Sequence, residues 1–295
     1  MSITDVVKEG LKYPFNDGKK VLILGVVFLL SSAVSLFMQY FVYDSLMVIE
    51  NNAPLETYQA LVSAIPQSNM ALIALSWIVT LIIMLFAAGY ICRVIKYGID
   101  SKYELPEFSD IKGIFLDGIR AFIVGLAYSI LPMILFFLGL MLTVNTAVGA
   151  AVNSIGGIIL LVAIVFAIFA SLMEVMALCN MLAKDNFKAA FEFNEILALI
   201  KNIGWGRFIG ILLFTIIVVA ILSIFIEFII GAFSLIISML IGSALVLAII
   251  TMVLQSLFLN PYISIVIGRV YGSIYREAAK VEPVNSEVVE LEPSE

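Results

Sequence analysis

Long apolar stretches alternate with short polar segments along the chain, and there are six of them. They cover residues 21–43, 70–92, 119–142, 155–182, 208–230 and 233–258. A helix of roughly 20 residues crosses the hydrocarbon core of a bilayer, and each stretch reaches that length. Because lipid offers no partner for exposed backbone N–H and C=O groups, each stretch must be helical. The pattern predicts an all-α integral membrane protein with six transmembrane helices.

Composition agrees with this interpretation. Hydrophobic residues make up 63% of the chain, charged residues only 13%, and the mean hydropathy is +1.14. Soluble globular domains are about a quarter charged. The composition therefore excludes an ordinary soluble domain.

Positive charge marks one side of the predicted membrane domain. All sixteen Lys and Arg residues fall in four segments, 1–20, 93–120, 183–207 and 269–280. The other connecting segments contain none, namely 44–69, 143–154 and 231–232. Since positively charged loops stay in the cytoplasm, we expect both termini and both long polar loops on the cytoplasmic side of the membrane.

The C-terminal segment 281–295 differs from the rest of the chain. It holds five Glu and no basic residue, a composition typical of solvated, disordered tails. The sequence thus predicts a single membrane domain over residues 1–280, followed by an acidic disordered tail.

Similar short motifs recur before every second apolar stretch. Lys8, Lys96 and Lys184 are spaced by 88 residues, and the motifs FND, FSD and FNE follow them at 15–17, 108–110 and 193–195. Together they predict three parallel two-helix repeats, at approximately 5–92, 93–180 and 181–268. Segment 262–280 resembles the start of a fourth copy and would form a closing amphipathic helix.

Each repeat is expected to begin with a short amphipathic helix on the inner face, with its Lys among the headgroups. Gly10 and Gly98 are candidates to end the first two of these helices in the left-handed conformation. Side chains after them could form the turn and cap the next helix. Asn16, Ser109 and Asn194 would be the capping residues, and Asp17, Asp110 and Glu195 would follow them at the positive end of the helix. We further expect the run 233–268, too long for one crossing, to bend at Pro261.

The same stretches carry a family resemblance. Residues 11–25 ("LKYPFNDGKKVLILG") and the segment 89–122, with its Leu-Pro-Glu-Phe and Leu-Asp-Gly elements, resemble domain of unknown function 4013. That family consists of multi-pass membrane proteins found mainly in methanogenic archaea. The resemblance implies a prokaryotic cell membrane and transfers no catalytic or binding residue. A remoter likeness to the membrane domains of glycerophosphodiester phosphodiesterases implies a role related to lipid.

Basic side chains near the ends of the apolar stretches are candidate contacts for lipid. Cations at the inner surface attract anionic headgroups. The candidates are Lys8, Arg93, Lys96, Lys184, Arg207 and Arg269. The expected partners are the bilayer, through its anionic headgroups, and a membrane-protein partner, with no nucleic acid.

Glu174 is the best candidate for function inside the membrane. It lies ten residues before Lys184, which is ~15 Å along a helix, and small residues share its helical face. It could carry a proton or cation. Alternatively, it could be a neutral Glu that makes an interhelical hydrogen bond, because an apolar environment disfavours its charged form. Convergence of Glu174 with Gln255, Asn180 or the Ser31–Gln39 stripe around a cavity would favour the first alternative.

Polar side chains also recur at a spacing of four within three other apolar stretches. They could line a path for water, or their hydroxyl groups could bond back to their own helix, which is the commoner case. The stripes are Ser31, Ser35 and Gln39; Thr215, Ser223 and Glu227; and Thr251 and Gln255.

The remaining motifs bear on the class of function. The chain has no His, two Cys without a Cys-x-x-Cys pair, and no phosphate-binding or nucleophile motif. We therefore expect no enzyme, no cofactor and no metal site. The favoured function is a non-catalytic role in membrane organisation, lipid association or scaffolding. The alternative is a small-solute or ion transporter or channel that uses Glu174.

Overall fold

The computed structural model describes residues 2–50, 67–144 and 149–280. The predicted acidic tail, 281–295, lies outside the described residues. Within the described ranges the regular structure is helical. The helices are α1 Ile3–Lys12, α2 Gly18–Glu50, α3 Gln67–Ile99, α4 Ile111–Val144, α5 Gly149–Lys184, α6 Phe193–Ile203, α7 Trp205–Ile241, α8 Ala244–Leu254 and α9 Asn260–Lys280.

Six helical segments in these ranges are long and apolar enough to cross a bilayer, which confirms the predicted all-α membrane class and the number of spans. They are Gly18–Gln39, Asn69–Ile99, Ile111–Thr143, Asn153–Lys184, Trp205–Ile241 and Leu245–Lys280. The helix α7, Trp205–Ile241, is longer than the apolar stretch 208–230 from which it was predicted. The prediction that residues 231–232 connect two spans is wrong, because they lie within α7. The helix instead ends at Gly242, whose φ of 72° is the left-handed conformation that glycine adopts without strain.

The helices α2, α3, α4 and α5 pack against one another in chain order, and α7 pairs with α8. The helix α9 contacts α1, α2, α3, α5, α6 and α7. Its second half, together with α1, α6 and the ends of α3 and α5, forms the side of the molecule where the basic segments meet. We call this side the basic end.

The closing helix at 262–280 is present as α9, but it does not lie on a surface. Ile265, Val270 and Ile274 are fully buried. Two glycines explain how α9 approaches α3 so closely, because a Cβ on Gly272 would overlap the carbonyl oxygen of Ile95, and one on Gly98 would lie 3.1 Å from the Arg269 carbonyl oxygen. The predicted role of Gly98 as a helix terminator is therefore wrong; it lies inside α3 and permits helix packing.

The chain accommodates Pro261 by a change in hydrogen bonding. A π turn, Gln255–Leu259, precedes it, and the Asn260 N–H bonds to the carbonyl of Gln255. Pro261 has no N–H to donate to the Leu257 carbonyl. That carbonyl lies against Gly25 of α2, where a Cβ would overlap its oxygen. The π turn thus marks the closest contact between α2 and the last span.

Of the three predicted short helices, only the first is a separate element, α1. The other two are the last turns of α3 and α5, because no proline or loop separates the apolar stretch from Lys96 or Lys184. Gly10 lies within α1 and faces Val266 and Val270 of α9. Its predicted role as a terminator is also wrong.

The caps lie one residue later than predicted. The side chain of Asp17 accepts a hydrogen bond from the Lys20 N–H (3.1 Å), and that of Asp110 accepts one from the Gly113 N–H (3.0 Å). Each Asp directly precedes its helix, so its carboxylate can reach the third helical N–H. Asn16 instead donates to the Tyr103 carbonyl (2.8 Å).

In the third motif, Asn194 and Glu195 lie within the first turn of α6, after the cap position Glu192. Asn194 is therefore not the cap of α6, so that prediction is wrong, whereas Glu195 lies in the first turn at the positive end of the helix, as predicted. The exposed Ser109 precedes Asp110 and is likewise not the cap of α4.

Candidate functional site

The most buried charge of the described residues is Arg269 on α9, whose side chain is 1% exposed. Its Nε donates to Glu9 Oε1 of α1 (2.9 Å). Its Nη1 donates to the carbonyl oxygens of Tyr97 (3.1 Å) and Lys102 (2.6 Å). The guanidinium therefore connects α1, the end of α3 and the loop that follows.

A second arginine completes the pairing of Glu9. Arg276, two turns further along α9, donates to Glu9 Oε2 (2.9 Å), to the Gly98 carbonyl (3.0 Å) and to Ser101 Oγ (3.1 Å). Carbonyls at the C-terminal end of a helix carry partial negative charge. The end of α3 thus helps to balance the two cations that share one carboxylate.

Tyr13 covers the other side of Arg269. The Arg269 Cζ atom lies 4.4 Å from the centre of the Tyr13 ring, a cation–π contact. The Tyr13 hydroxyl donates to the carbonyl of Glu104. Burial raises the pKa of Tyr13 to about 12, so the hydroxyl stays protonated and remains a donor near neutral pH.

The electrostatics favour an ionised Glu9. Burial alone would raise its pKa, but Arg269 and Arg276 outweigh that effect and hold the pKa below its ordinary value. We refer to Glu9, Tyr13, Arg269 and Arg276 as the Arg269 cluster. Because each polar group in it has partners, the cluster can hold the first and last helices of the membrane domain together.

The prediction that Arg269 contacts headgroups is wrong, since its side chain is enclosed by protein. The cluster as a whole was not predicted from the sequence, because Glu9 and Arg269 are 260 residues apart. One signal was available: Gly268 and Gly272 bracket the charge at a spacing of four, which indicates a close helix contact on that face.

The other predicted headgroup contacts are mostly engaged with acidic side chains. Arg93 pairs with Asp110 (2.6 Å) and Asp117 (3.3 Å). This ion pair holds the end of α3 to the start of α4, and the Asp110 pKa is lowered by its hydrogen bonds to Arg93 and the Gly113 N–H.

Three further candidates also have acidic partners. Lys184 pairs with Glu192 (2.7 Å) and Glu195. Lys96 lies 3.6 Å from Asp185, and Arg207 pairs with Glu277 of α9. Lys8, by contrast, is an exposed residue of α1.

Glu174 is half-buried on α5 and lies against α4, where a Cβ on Gly125 would be 3.1 Å from its Oε1. No hydrogen bond or ion pair of its carboxylate with another described residue is found. Tyr128 and Tyr271 are near enough to interact with it electrostatically. Glu174 is thus placed at a junction of α4, α5 and α9.

The two other intramembrane candidates lie elsewhere. Asn180 is fully buried, donates to the Ala189 carbonyl (3.0 Å) and accepts from the Tyr275 hydroxyl (2.8 Å). Gln255 belongs to the π turn, which packs against α2. Among the described residues, no hydrogen bond joins Glu174 to either of them.

The polar stripes bond mainly within their own helices. Ser35, Thr215 and Ser223 each donate to the carbonyl four residues earlier, at 3.0, 2.7 and 2.7 Å. For these three side chains the structure thus shows bonding back to their own helix, the commoner of the two alternatives. The contact that crosses between helices is one that the stripes did not include, Ser32 Oγ to Ser256 Oγ (2.9 Å).

Metal-binding groups are also scarce. Within residues 2–50, 67–144 and 149–280, no group of three or more His, Cys, Asp or Glu side chains could hold a metal ion. Cys92 and Cys179 are buried free thiols.

Comparison with known proteins places the chain in a family. The family described as "Protein of unknown function (DUF4013)" matches residues 72–253. An uncharacterized protein of Methanocaldococcus jannaschii is 27% identical over 200 residues, which cover 66% of this chain and 68% of that protein. No solved structure matches the fold. The chain therefore belongs to the DUF4013 family of proteins of unknown function.

Proposed function

We propose that this protein is a non-catalytic, lipid-associated membrane protein that organises anionic lipid at its basic end and scaffolds a membrane-protein partner. The observation that carries the proposal is the Arg269 cluster. By joining α1, α3 and α9 through a buried arginine, it fixes the position of α1. Helix α1 in turn presents Lys8 and Lys12 as exposed cations.

Cations on a helix of fixed position bind anionic headgroups more favourably than cations on a mobile segment. The reason is that less conformational entropy is lost on binding. Each cation near an anionic surface contributes roughly 1 kcal/mol. The buried or paired arginines of the basic end hold the helices together, and the exposed lysines attract the anionic headgroups.

The orientation and location belong to the same proposal. The basic end lies in the cytoplasm, with both termini inside, and the protein resides in the cell membrane of a prokaryote, most simply an archaeon. The confinement of Lys and Arg to four segments supports this orientation. The internal repeat of three two-helix units also remains a proposal, supported by the spacing of Lys8, Lys96 and Lys184.

Lipid preference can be measured directly. The full chain is reconstituted in nanodiscs that contain equal amounts of an anionic and a zwitterionic phospholipid with matched acyl chains. Native mass spectrometry then counts the lipid molecules that stay bound to the protein after it is released from the nanodisc. We expect enrichment of the anionic lipid and its reduction in Lys8→Gln/Lys12→Gln. Equal retention of the two lipids in the wild-type protein would contradict the proposal.

The second candidate function, transport or conduction of a small solute or ion, is favoured by one observation. The Glu174 carboxylate lies at a helix junction and makes no hydrogen bond with another described residue. A carboxylate in that position can bind a cation or a proton.

Cysteine accessibility separates the two functions. Glu174→Cys is made in a Cys92→Ala/Cys179→Ala background, and a membrane-impermeant thiol reagent is applied from each side of sealed vesicles. Labelling from either side would favour transport, because water would reach the junction. Protection from both sides in a folded protein would leave Glu174 with a structural role.

A further inference from the structure

An apolar groove opens on the side of the molecule between α2 and α7. Its volume is about 510 Å³. Gly18, Val21 and Leu22 of α2 form one wall, and Leu222 and Ile226 of α7 form the other. Phe258, from the π turn, also lines the groove.

The groove volume of several hundred Å³ is typical of sites for small molecules. Tyr262, which also lines the groove, directs its hydroxyl to the Leu11 carbonyl (2.9 Å). The groove therefore fits a slender apolar chain.

Charge at the α1–α2 side of the groove indicates the headgroup. Lys12 precedes the lining residue Pro14 by two positions, and Lys19 directly follows the lining residue Gly18. Both lysines are exposed, and neither side chain makes an ion pair or hydrogen bond with another described residue. The neighbouring acid Asp17 is already paired with Lys20.

We propose that this groove is a specific site for one anionic phospholipid, with an acyl chain between α2 and α7 and the phosphate held by Lys12 and Lys19. The inference deepens the proposed function and rests on it, since it names one built site among the general contacts of the basic end with lipid. The π turn before Pro261 contributes Phe258 to the lining of the site.

The test uses a fluorescent reporter in the groove. Phe258→Trp is introduced into the full chain in a Trp77→Phe/Trp205→Phe background, and the protein is reconstituted in vesicles of zwitterionic lipid. Increasing fractions of an anionic phospholipid with brominated acyl chains are added, because bromine quenches tryptophan on contact. Quenching should saturate at a low mole fraction of the anionic lipid. A brominated zwitterionic lipid should quench only in proportion to its mole fraction.

Two variants probe the two parts of the site. One cation near the surface changes anionic lipid binding roughly fivefold, so Lys12→Gln/Lys19→Gln, which removes two cations, should raise the half-saturating fraction roughly 25-fold. Lys112→Gln/Lys201→Gln, which removes the same charge from two other exposed positions, should leave it unchanged.

Gly18→Leu should remove the saturable quenching by filling the groove. A Cβ at Gly18 meets nothing within 4 Å, so the fold should tolerate the change. Gly157→Leu is the matched control, because its Cβ also meets nothing within 4 Å and it does not line the groove.

Equal, unsaturated quenching by both lipids, or no effect of Gly18→Leu in a folded protein, would overturn the inference. If anionic lipid is still enriched in nanodiscs, only the assignment to this groove fails. If that enrichment is absent as well, the proposed function fails with it.

Discussion

Glu9 and Arg269, 260 residues apart in the chain, form a salt bridge with 2.6 Å between Glu9 Oε1 and Arg269 Nη2. The arginine side chain is 1% exposed and the glutamate side chain 21%. A charge enclosed to this degree depends on its partner, because removal of one member leaves the other uncompensated in a poor solvent for ions.

Loss of the Glu9 charge should therefore destabilise the protein. We expect Glu9→Gln to lower the free energy of unfolding by about 3 kcal/mol, since Arg269 then lacks its counter-ion. The measurement is equilibrium unfolding of the detergent-solubilised protein. Glu107→Gln is the control, because Glu107 also forms a salt bridge, with Lys20, but its side chain is 71% exposed. The control should cost less than about 1 kcal/mol, and equal losses in both variants would contradict the assigned role of the cluster.

The same pair predicts a loss of stability in acid. The ordinary pKa of a Glu is 4.5, and the pKa of Glu9 in the folded protein is lower. Its contribution is therefore fully present above about pH 4.5 and is lost as the pH falls through the lower, folded value. Unfolding measured between pH 7 and pH 3 should show a smaller acid dependence in Glu9→Gln than in the wild-type protein. Parallel pH profiles of the two proteins would argue against ionisation of Glu9 in the fold.

Tyr13 predicts a loss of stability in alkali. Burial raises its pKa from 10.0 to about 12, so the unfolded chain loses the phenolic proton at a lower pH than the folded protein does. Stability should fall as the pH rises from 10 toward 12. Tyr13→Phe should reduce this alkaline dependence, when unfolding of both proteins is followed over that range. An unchanged slope in the variant would show that other groups account for it.

Close packing of α3 on α4 predicts strong sensitivity at Gly89. A Cβ at this position would overlap the backbone carbonyl oxygen of Ile114, and backbone cannot move aside as a side chain can. Gly89→Ala should cost at least 1–3 kcal/mol of stability, the usual range for overpacking.

Gly231→Ala is the matched control for that substitution. Gly231 also lies within a transmembrane helix, but a Cβ there meets nothing within 4 Å. The control should be neutral or stabilising by up to about 1 kcal/mol, because alanine favours helix more than glycine does. A comparable loss in both variants, measured by thermal unfolding in the same detergent, would contradict the close contact of α3 and α4.

The sequence by itself determined the class of the molecule and the number of its spans. Six apolar stretches of sufficient length can only be helices in a bilayer, since lipid satisfies no backbone hydrogen bonds. This argument needs only local composition and length, so it holds whatever the packing. The short motifs at 89–122, which lie within the range 72–253 matched by the family, were likewise sufficient to identify the family.

Tertiary structure decided the roles of individual side chains. In the sequence, Arg269 cannot be distinguished from other cations near the ends of apolar stretches. Its burial results from the packing of α1 and α3 around α9. Gly98 has the sequence context of a helix terminator, but it lies within α3, where its missing Cβ leaves room for Gly272 and the Arg269 carbonyl of α9. Gly231 and Gly242 share one apolar run, and the backbone turns at Gly242 alone. For Arg269 and Gly98 the deciding contact involves residues far away in the chain, and local periodicity carries no information about it.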